Sequence, residues 1–150
     1  MTWAPHATVA TIVEQDGKLL LVEELSHNKQ VFNQPAGHIE EGETIFEAAI
    51  RETLEETGWQ VELKSFLGIY TYQAPQNGVT YYRFCFAAEA IERLTTKLDK
   101  DIIAAHWMAR AEVAALGERL RSPLVSRCVE DYYTKPHLSL DTIYEHSGNQ

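Results

Sequence analysis

Hydrophobic positions change period several times along this chain, and each change predicts an element. Residues 7–14, ATVATIVE, alternate loosely between apolar and polar and predict a strand. Asp16-Gly17 is a hairpin-turn pair, and KLLLVEE at 18–24 predicts its partner strand. SHNKQVFN (26–33) starts polar and predicts a loop leading into a short strand, while QPAGHIEEGE (34–43) is rich in breakers and predicts a loop. The period then becomes helical. Thr44 with Glu47 three residues later makes a capping box, and Gly58 stands where a left-handed cap belongs, so a helix is predicted over 45–57. Phe46, Ala49, Ile50, Thr53 and Leu54 share one arc of it, the expected core face; Glu52, Glu55 and Glu56 fall on a separate arc.

Long strands follow at 59–73 and 79–90, joined by a loop containing Asn77-Gly78, then a strand at 102–108 and a short helix at 109–116. Ser122-Pro123 is an N-cap with proline at the first helical position, and Leu124, Val125, Cys128, Val129 and Tyr132 recur behind it at helical spacing. From Pro136 onward there is no clear pattern. The sum is a mixed α/β domain, read as one domain over 1–150 because a 150-residue chain suits one sizeable core.

Composition narrows the class. Hydrophobic residues at 45% and charged residues at 23% are ordinary for a globular protein. No apolar run approaches the ~18 residues of a membrane span, and the N-terminus lacks the pattern of a signal peptide. Cys85 and Cys128 form no CxxC pattern and are expected to be reduced core thiols. A cytoplasmic monomer without membrane or nucleic-acid partners is the expectation. The net charge of -9 opposes a general nucleic-acid surface, and a phosphorylated substrate would need a cation or a local basic pocket.

The three glutamates raise a physical problem. At i, i+3 and i+4 they repel one another by a few tenths of a kcal/mol per pair, roughly, and the helix C-terminus is the wrong end for carboxylates. A hard divalent cation would reverse that, since Mg²⁺ binds through carboxylates, waters and substrate phosphates. The spacing here is Gly37, five residues, Glu43, seven residues, Arg51-Glu52, two residues, Glu55-Glu56, one residue, Gly58. This resembles the signature of the Nudix hydrolases, which cleave nucleoside diphosphates linked to another group. All the fixed letters match; Thr53 and Trp59 stand where the family has aliphatic residues.

The resemblance implies the Nudix fold, an α/β/α sandwich with a mixed curved sheet. It implies Glu52, Glu55 and Glu56 as ligands of Mg²⁺ (Mn²⁺ as the alternative), with the backbone carbonyl of Gly37 completing the shell. Glu43 and Arg51 resemble orienting partners, with Arg51 flanked by Glu47 and Glu55. A carboxylate takes the proton from the attacking water: Glu55 is the first choice, with Glu56, or Glu92, Asp99 and Asp101 from a later loop, as alternatives. The stretches FNQPAGH (32–38), RFCFA (83–87) and RSPLV (121–125) are similar to the bacterial NudJ-type phosphatases of the family. That implies orthophosphate release from nucleoside tri- and diphosphates and from hydroxymethylpyrimidine pyrophosphate, a thiamine-pathway intermediate, with weak base preference.

Candidate substrate contacts are Arg83, Lys29 and His38. Arg83 is a mid-strand charge that either meets a phosphate or closes an internal salt bridge. Lys29 is a phosphate candidate from the loop before the box, and His38 either lines the pocket or is a plain loop histidine. Tyr70, Tyr72, Phe32 and Trp3 either stack on a base or belong to the core. Pro75 is a feature of ADP-ribose-specific relatives, but Pro-Gln-Asn-Gly also reads as a turn, the reading adopted. The rivals are the same site acting on ADP-ribose, an oxidised nucleotide or a dinucleoside polyphosphate, and a nucleotide-sensing module without turnover. Such modules lose box acids, and here all are present.

Overall fold

The computed structural model describes residues 2–146. Strands β1 (His6–Gln15) and β2 (Lys18–Ser26) form a hairpin across Asp16 and Gly17, which take φ of 53° and 78°. Both central residues at positive φ is the turn geometry that matches strand twist and that Asp-Gly favours. The two strands pair only through Glu14↔Leu19 and Gln15↔Lys18, then diverge into two sheets. In one, β4 (Ala36–His38), β1, β6 (Thr80–Arg93) and β5 (Trp59–Gln73) lie in that order, with β1 and β6 parallel and the other pairs antiparallel. In the other, β2 runs between β3 (Lys29–Asn33) and β7 (Ile102–Ala109), both antiparallel to it.

The mixed sheet carries helices on both faces, so the expected α/β/α arrangement holds. Alternation along β1 shows why. Val9 and Val13 point toward α1 (Ile45–Thr57), joining Leu20, Ala48, Ala49, Phe66 and Phe86 in one apolar cluster. Ala10 and Ile12 point the other way, to a cluster with Leu21, Cys85, Val113 of α2 (Arg110–Ala115), and Val125, Cys128 and Val129 of α3 (Pro123–Thr134). Phe86 is fully buried and meets Phe46 and Phe66 at ring separations of 5.7 and 5.3 Å. Burying a phenylalanine side chain contributes about 1.5–3 kcal/mol, so this trio seats α1 on the sheet. Cys85 and Cys128 are free, buried thiols, as expected.

Four local readings change. The expected short strand in 26–33 is present as β3, but the loop before it shrinks to a turn: β2 runs to Ser26 and reaches β3 through His27 and Asn28 alone, both at positive φ. The segment at 34–43 is not all loop, because β4 pairs with β1 over Thr8↔His38, Val9↔Gly37 and Ala10↔Ala36. On α1, Ala49 and Thr53 are buried as expected, but the buried arc is turned toward Ala48, Glu56 and Thr57. Small residues let α1 approach β1 closely: the Thr53 hydroxyl donates to the Ala49 carbonyl (2.8 Å), leaving Thr11 to donate to Thr53 (2.9 Å). Finally, the tail is built into the fold. Leu138 exchanges two backbone hydrogen bonds of 2.9 Å with Phe66, and Leu140 and Ile143 pack on the α1 cluster. The Glu145 carboxylate then accepts the Ile45 N–H at the start of α1, at 2.9 and 3.0 Å.

The capping box of α1 is present, with Thr44 and Glu47 bonding each other's backbone N–H. At the other end Gly58 has φ 80°, and a Cβ there would collide with the Thr95 carbonyl oxygen. Gly58→Ala is therefore expected to cost about 2–4 kcal/mol, combining left-handed strain with overpacking. Thermal unfolding should show this as a drop of roughly 6–14 °C in midpoint.

Candidate active site

Two distant segments converge on the last turns of α1. The loop between β6 and β7 closes over its C-terminus: Leu94 N–H donates to the Gly58 carbonyl (2.8 Å) and Asp99 N–H to the Glu55 carbonyl (3.0 Å). These bonds satisfy carbonyls that a helix end leaves unpaired. They also bring the Asp99 side chain to Glu52 and Glu55, and one carboxylate oxygen from each of the three lies within 4.8 Å of the others. On the opposite flank β4 lays Gly37 against Glu52; a Cβ at Gly37 would overlap the Glu52 carboxylate.

Arg51 organises the cluster. Its guanidinium donates to both oxygens of Glu43 (2.5 and 2.9 Å), to Glu52 (2.7 Å), to Glu55 (3.1 Å) and to the His38 carbonyl (3.0 Å). Glu40 lies 3.6 Å away. The bond to Arg51 holds the Glu43 carboxyl below the usual carboxylate range, and Glu43 in turn is the largest influence raising the Arg51 guanidinium. Burial raises Glu52, against the pull of Arg51, with Glu55 and Asp99 adding to the rise. Glu47 does not flank Arg51 as expected, because its carboxylate is engaged in the capping box.

The three box glutamates divide. Glu52 and Glu55 face the cluster with Asp99, whereas Glu56 is buried and accepts the Ala36 N–H of β4 at 2.9 Å. Burial pushes the Glu56 carboxyl up to about 9, opposed by that hydrogen bond and reinforced by Glu24, Glu52 and Asp99. Of the loop acids, Asp99 joins the site. Glu92 pairs with Gln60 in the β5–β6 ladder and Asp101 is exposed where its carbonyl accepts Leu25 N–H.

An open pocket of about 170 Å³ adjoins the cluster at Gly37. Arg83, Arg121, Asn33, His38, Tyr72 and Tyr81 are among its walls. Arg83 forms no ion pair among the described residues; Nη1 donates to the Gln34 side-chain oxygen (3.0 Å) and Nε is buried without a partner. His38 packs edge-on against His6, with ring nitrogens 3.0 Å apart, and burial, then His6 and Arg121, lowers its pKa. Lys29 is exposed on the β2–β3 hairpin and is not among the pocket walls. Of the aromatic candidates, Tyr72 reaches the pocket, while Tyr70 packs on the core and donates to Asp131 (2.8 Å). Phe32 is buried and Trp3 is 65% exposed. Pro75 sits in the β5–β6 turn.

Arg121, Glu24 and Asn33 escape sequence reasoning as a group. Arg121 donates to buried Glu24 (2.5 Å), and Asn33 Nδ2 donates to the same oxygen (3.4 Å). Arg121 immediately precedes the Ser122 cap of α3, the one signal that placed it at a helix entrance.

Comparison with known proteins agrees with this arrangement. A family model described as NUDIX domain matches residues 3–128. Phosphatase NudJ of Escherichia coli (strain K12) is 39% identical over 141 residues, covering 93% of this chain and 90% of that protein. A NUDIX hydrolase from Nitrosomonas europaea is 40% identical with a TM-score of 0.93, covering 97% of this chain and 99% of that one. A MutT protein from Methanosarcina mazei Go1 shares the fold at a TM-score of 0.71 and 19% identity, over 88% of this chain and 96% of that one. The chain belongs to the Nudix hydrolase family. Among the described residues, no helix is long and apolar enough to cross a membrane.

Two outcomes follow from the site. Arg51→Ala leaves Glu43, Glu52 and Glu55 unrestrained and should lower divalent-metal affinity or turnover about 10–100-fold, read by metal titration and steady-state rates. Glu56 holds its proton when folded and releases it when unfolded between the usual 4.5 and about 9. Its contribution to stability is complete below the lower value and is lost as pH rises through the upper one. In chelator, the melting midpoint of the wild type relative to Glu56→Gln should therefore fall steadily from pH about 5 to about 9.

Proposed function

We propose that the protein hydrolyses the terminal phosphoanhydride of nucleoside tri- and diphosphates, and of small pyrimidine pyrophosphates, with release of orthophosphate. The observation that carries this reading is the cluster of Glu52, Glu55 and Asp99, restrained by Arg51 and opening beside a pocket with arginine in its wall. The 39% identity to a protein named phosphatase NudJ supports the choice of product.

The donor set suits a hard divalent cation: three carboxylates on adjacent elements, with no sulfur or imidazole among them. Glu52, Glu55 and Asp99 would hold Mg²⁺ or Mn²⁺, with Glu56 and the Gly37 carbonyl as the remaining candidates next to them. Such an ion supplies charge neutralisation at the phosphoryl oxygens and acidifies water. The chain's own residues do the rest. Arg51 keeps Glu52 and Glu55 aimed at one point, which lowers the reorganisation needed at the transition state. Glu55, the more exposed of the two, takes the proton of the attacking water. Arg83 presents an unneutralised guanidinium to the substrate in the pocket.

The test is a panel of nucleoside tri- and diphosphates and hydroxymethylpyrimidine pyrophosphate, with orthophosphate and pyrophosphate quantified separately. Orthophosphate should dominate, base preference should stay under ~100-fold, and turnover should vanish in excess chelator. Glu55→Gln should lose about 10²–10⁴-fold in kcat, the usual contribution of a positioned base. Pyrophosphate as the main product, or near-full activity in chelator, sinks the reading.

A further inference from the structure

We infer that Arg83 and Arg121 form an anion subsite, separate from the carboxylate cluster, which grips the phosphates next to the one removed and thereby sets which phosphorus reacts. The inference rests on the phosphoanhydride reading above and adds the device that fixes its register.

Each arginine is incompletely satisfied by the protein. Arg83 lies mid-strand and half-buried; among the described residues its side chain has only the neutral Gln34 amide as a partner, and its buried Nε bonds nothing. A desolvated guanidinium without an anion is costly, and this one is retained in a chain of net charge -9. Arg121 uses Nη1 on Glu24, yet its side chain is 47% exposed and its other donors have no protein partner among the described residues. Its backbone N–H donates to the Phe32 carbonyl at 2.8 Å, which fixes where the side chain starts. Both side chains line the pocket whose edge is Gly37, and Gly37 lies directly against Glu52. Planar guanidinium forks take phosphate oxygens two at a time, so this pair suits a phosphate chain better than a single charge.

Across the sheet, β6 with Arg83 stands between the β4–β1 edge that carries Gly37 and β5 with Tyr72, and all three residues line the pocket together with Arg121. A nucleoside seated at Tyr72 directs its phosphate chain over the arginines to the carboxylates. The terminal phosphorus then meets water at the cluster. The new bond joins water oxygen to that phosphorus, the anhydride bond to the next phosphate breaks, Glu55 receives the proton, and the nucleoside diphosphate leaves with the bonding pair.

Arg121→Gln tests this while leaving Glu24 a neutral donor, and Arg121→Lys keeps the charge without the fork. Calorimetry with tripolyphosphate in Ca²⁺, and separately with adenosine, reads binding without relying on turnover. Tripolyphosphate should bind Arg121→Gln about 10- to 100-fold more weakly, in line with a lost charged hydrogen bond. Arg121→Lys should fall between, adenosine should be unaffected, and the ratio of orthophosphate to pyrophosphate released from ATP should drop in Arg121→Gln. Tripolyphosphate affinity unchanged within about twofold, or an equal loss for adenosine, overturns the subsite. A wild type that binds tripolyphosphate in this Arg121-dependent way but hydrolyses no nucleotide upholds the subsite and defeats the phosphatase reading.

Discussion

Arg51 lies in bonding contact with Glu43, Glu52 and Glu55 at once, and the shape of the acidic cluster depends on that placement. Carboxylates one turn apart repel, and the negative end of the helix macrodipole adds to the repulsion. A lysine would present one compact charge; the guanidinium presents separate donors on a rigid plane. Nη1 spans Glu52 and Glu55 while Nε and Nη2 lock onto Glu43, so attraction and geometry come from the same group. Glu43 thereby ties the loop before α1 to the helix, and the Nη2 bond to the His38 carbonyl ties in β4. The acidic face holds together because a half-buried arginine supplies part of the balancing charge.

That arrangement also needs α1 not to move, and both its ends are held by remote chain. Glu145 places a carboxylate on the Ile45 N–H, where the helix dipole favours negative charge. The 94–99 segment occupies carbonyls at the other end, through Gly58 and Glu55. Gly58 is required there for two reasons that coincide: the left-handed turn that ends the helix, and the close approach of Thr95. One consequence is that Asp99 enters the site as a by-product of capping. The same loop that satisfies the helix carbonyls delivers the third carboxylate.

How much of this the sequence discloses follows from the range of the forces involved. The capping box, the Gly58 cap and the Asp16-Gly17 turn are local and were legible; the order of strands and helices reached only a mixed α/β domain, and the α/β/α class came with the Nudix resemblance. The match around Gly37, Glu43, Arg51 and the glutamates singled out residues that the fold places in contact. What was not legible depends on partners far along the chain. Glu56 has the same residue type and helix spacing as its neighbours, and only the position of the Ala36 N–H on β4 turns it inward. Glu92, Asp99 and Asp101 are equivalent acids in sequence; backbone pairing of Asp99 with Glu55 selects one. Glu47 and Glu43 compete for Arg51 on paper, and the capping box removes Glu47 from the competition. The strand β4 hides among breakers because three residues carry no readable period, and the tail from Pro136 docks by backbone bridging to Phe66, which leaves no pattern of side chains.

An acidic protein has few cations to place, and the pocket wall holds two of them through buried acid and amide partners. Glu24 is buried and is occupied by Arg121 and Asn33. It acts as an anchor: it fixes one nitrogen of Arg121 and leaves the rest of the fork directed at the pocket. Gln34 does the same for Arg83 without cancelling its charge, because its amide oxygen is neutral. Gln34 is itself fixed by donating to the Thr11 carbonyl and the Cys85 sulfur, so the anchor is part of the core. The contrast with Arg51 is instructive. There the arginine is surrounded by carboxylates and its charge is spent on holding them; in the pocket each arginine has at most one among the described residues, and net positive charge is left over. The same residue type therefore holds an acidic cluster together and, across Gly37, lines a pocket wall with positive charge, and the difference lies in how many carboxylates each guanidinium meets.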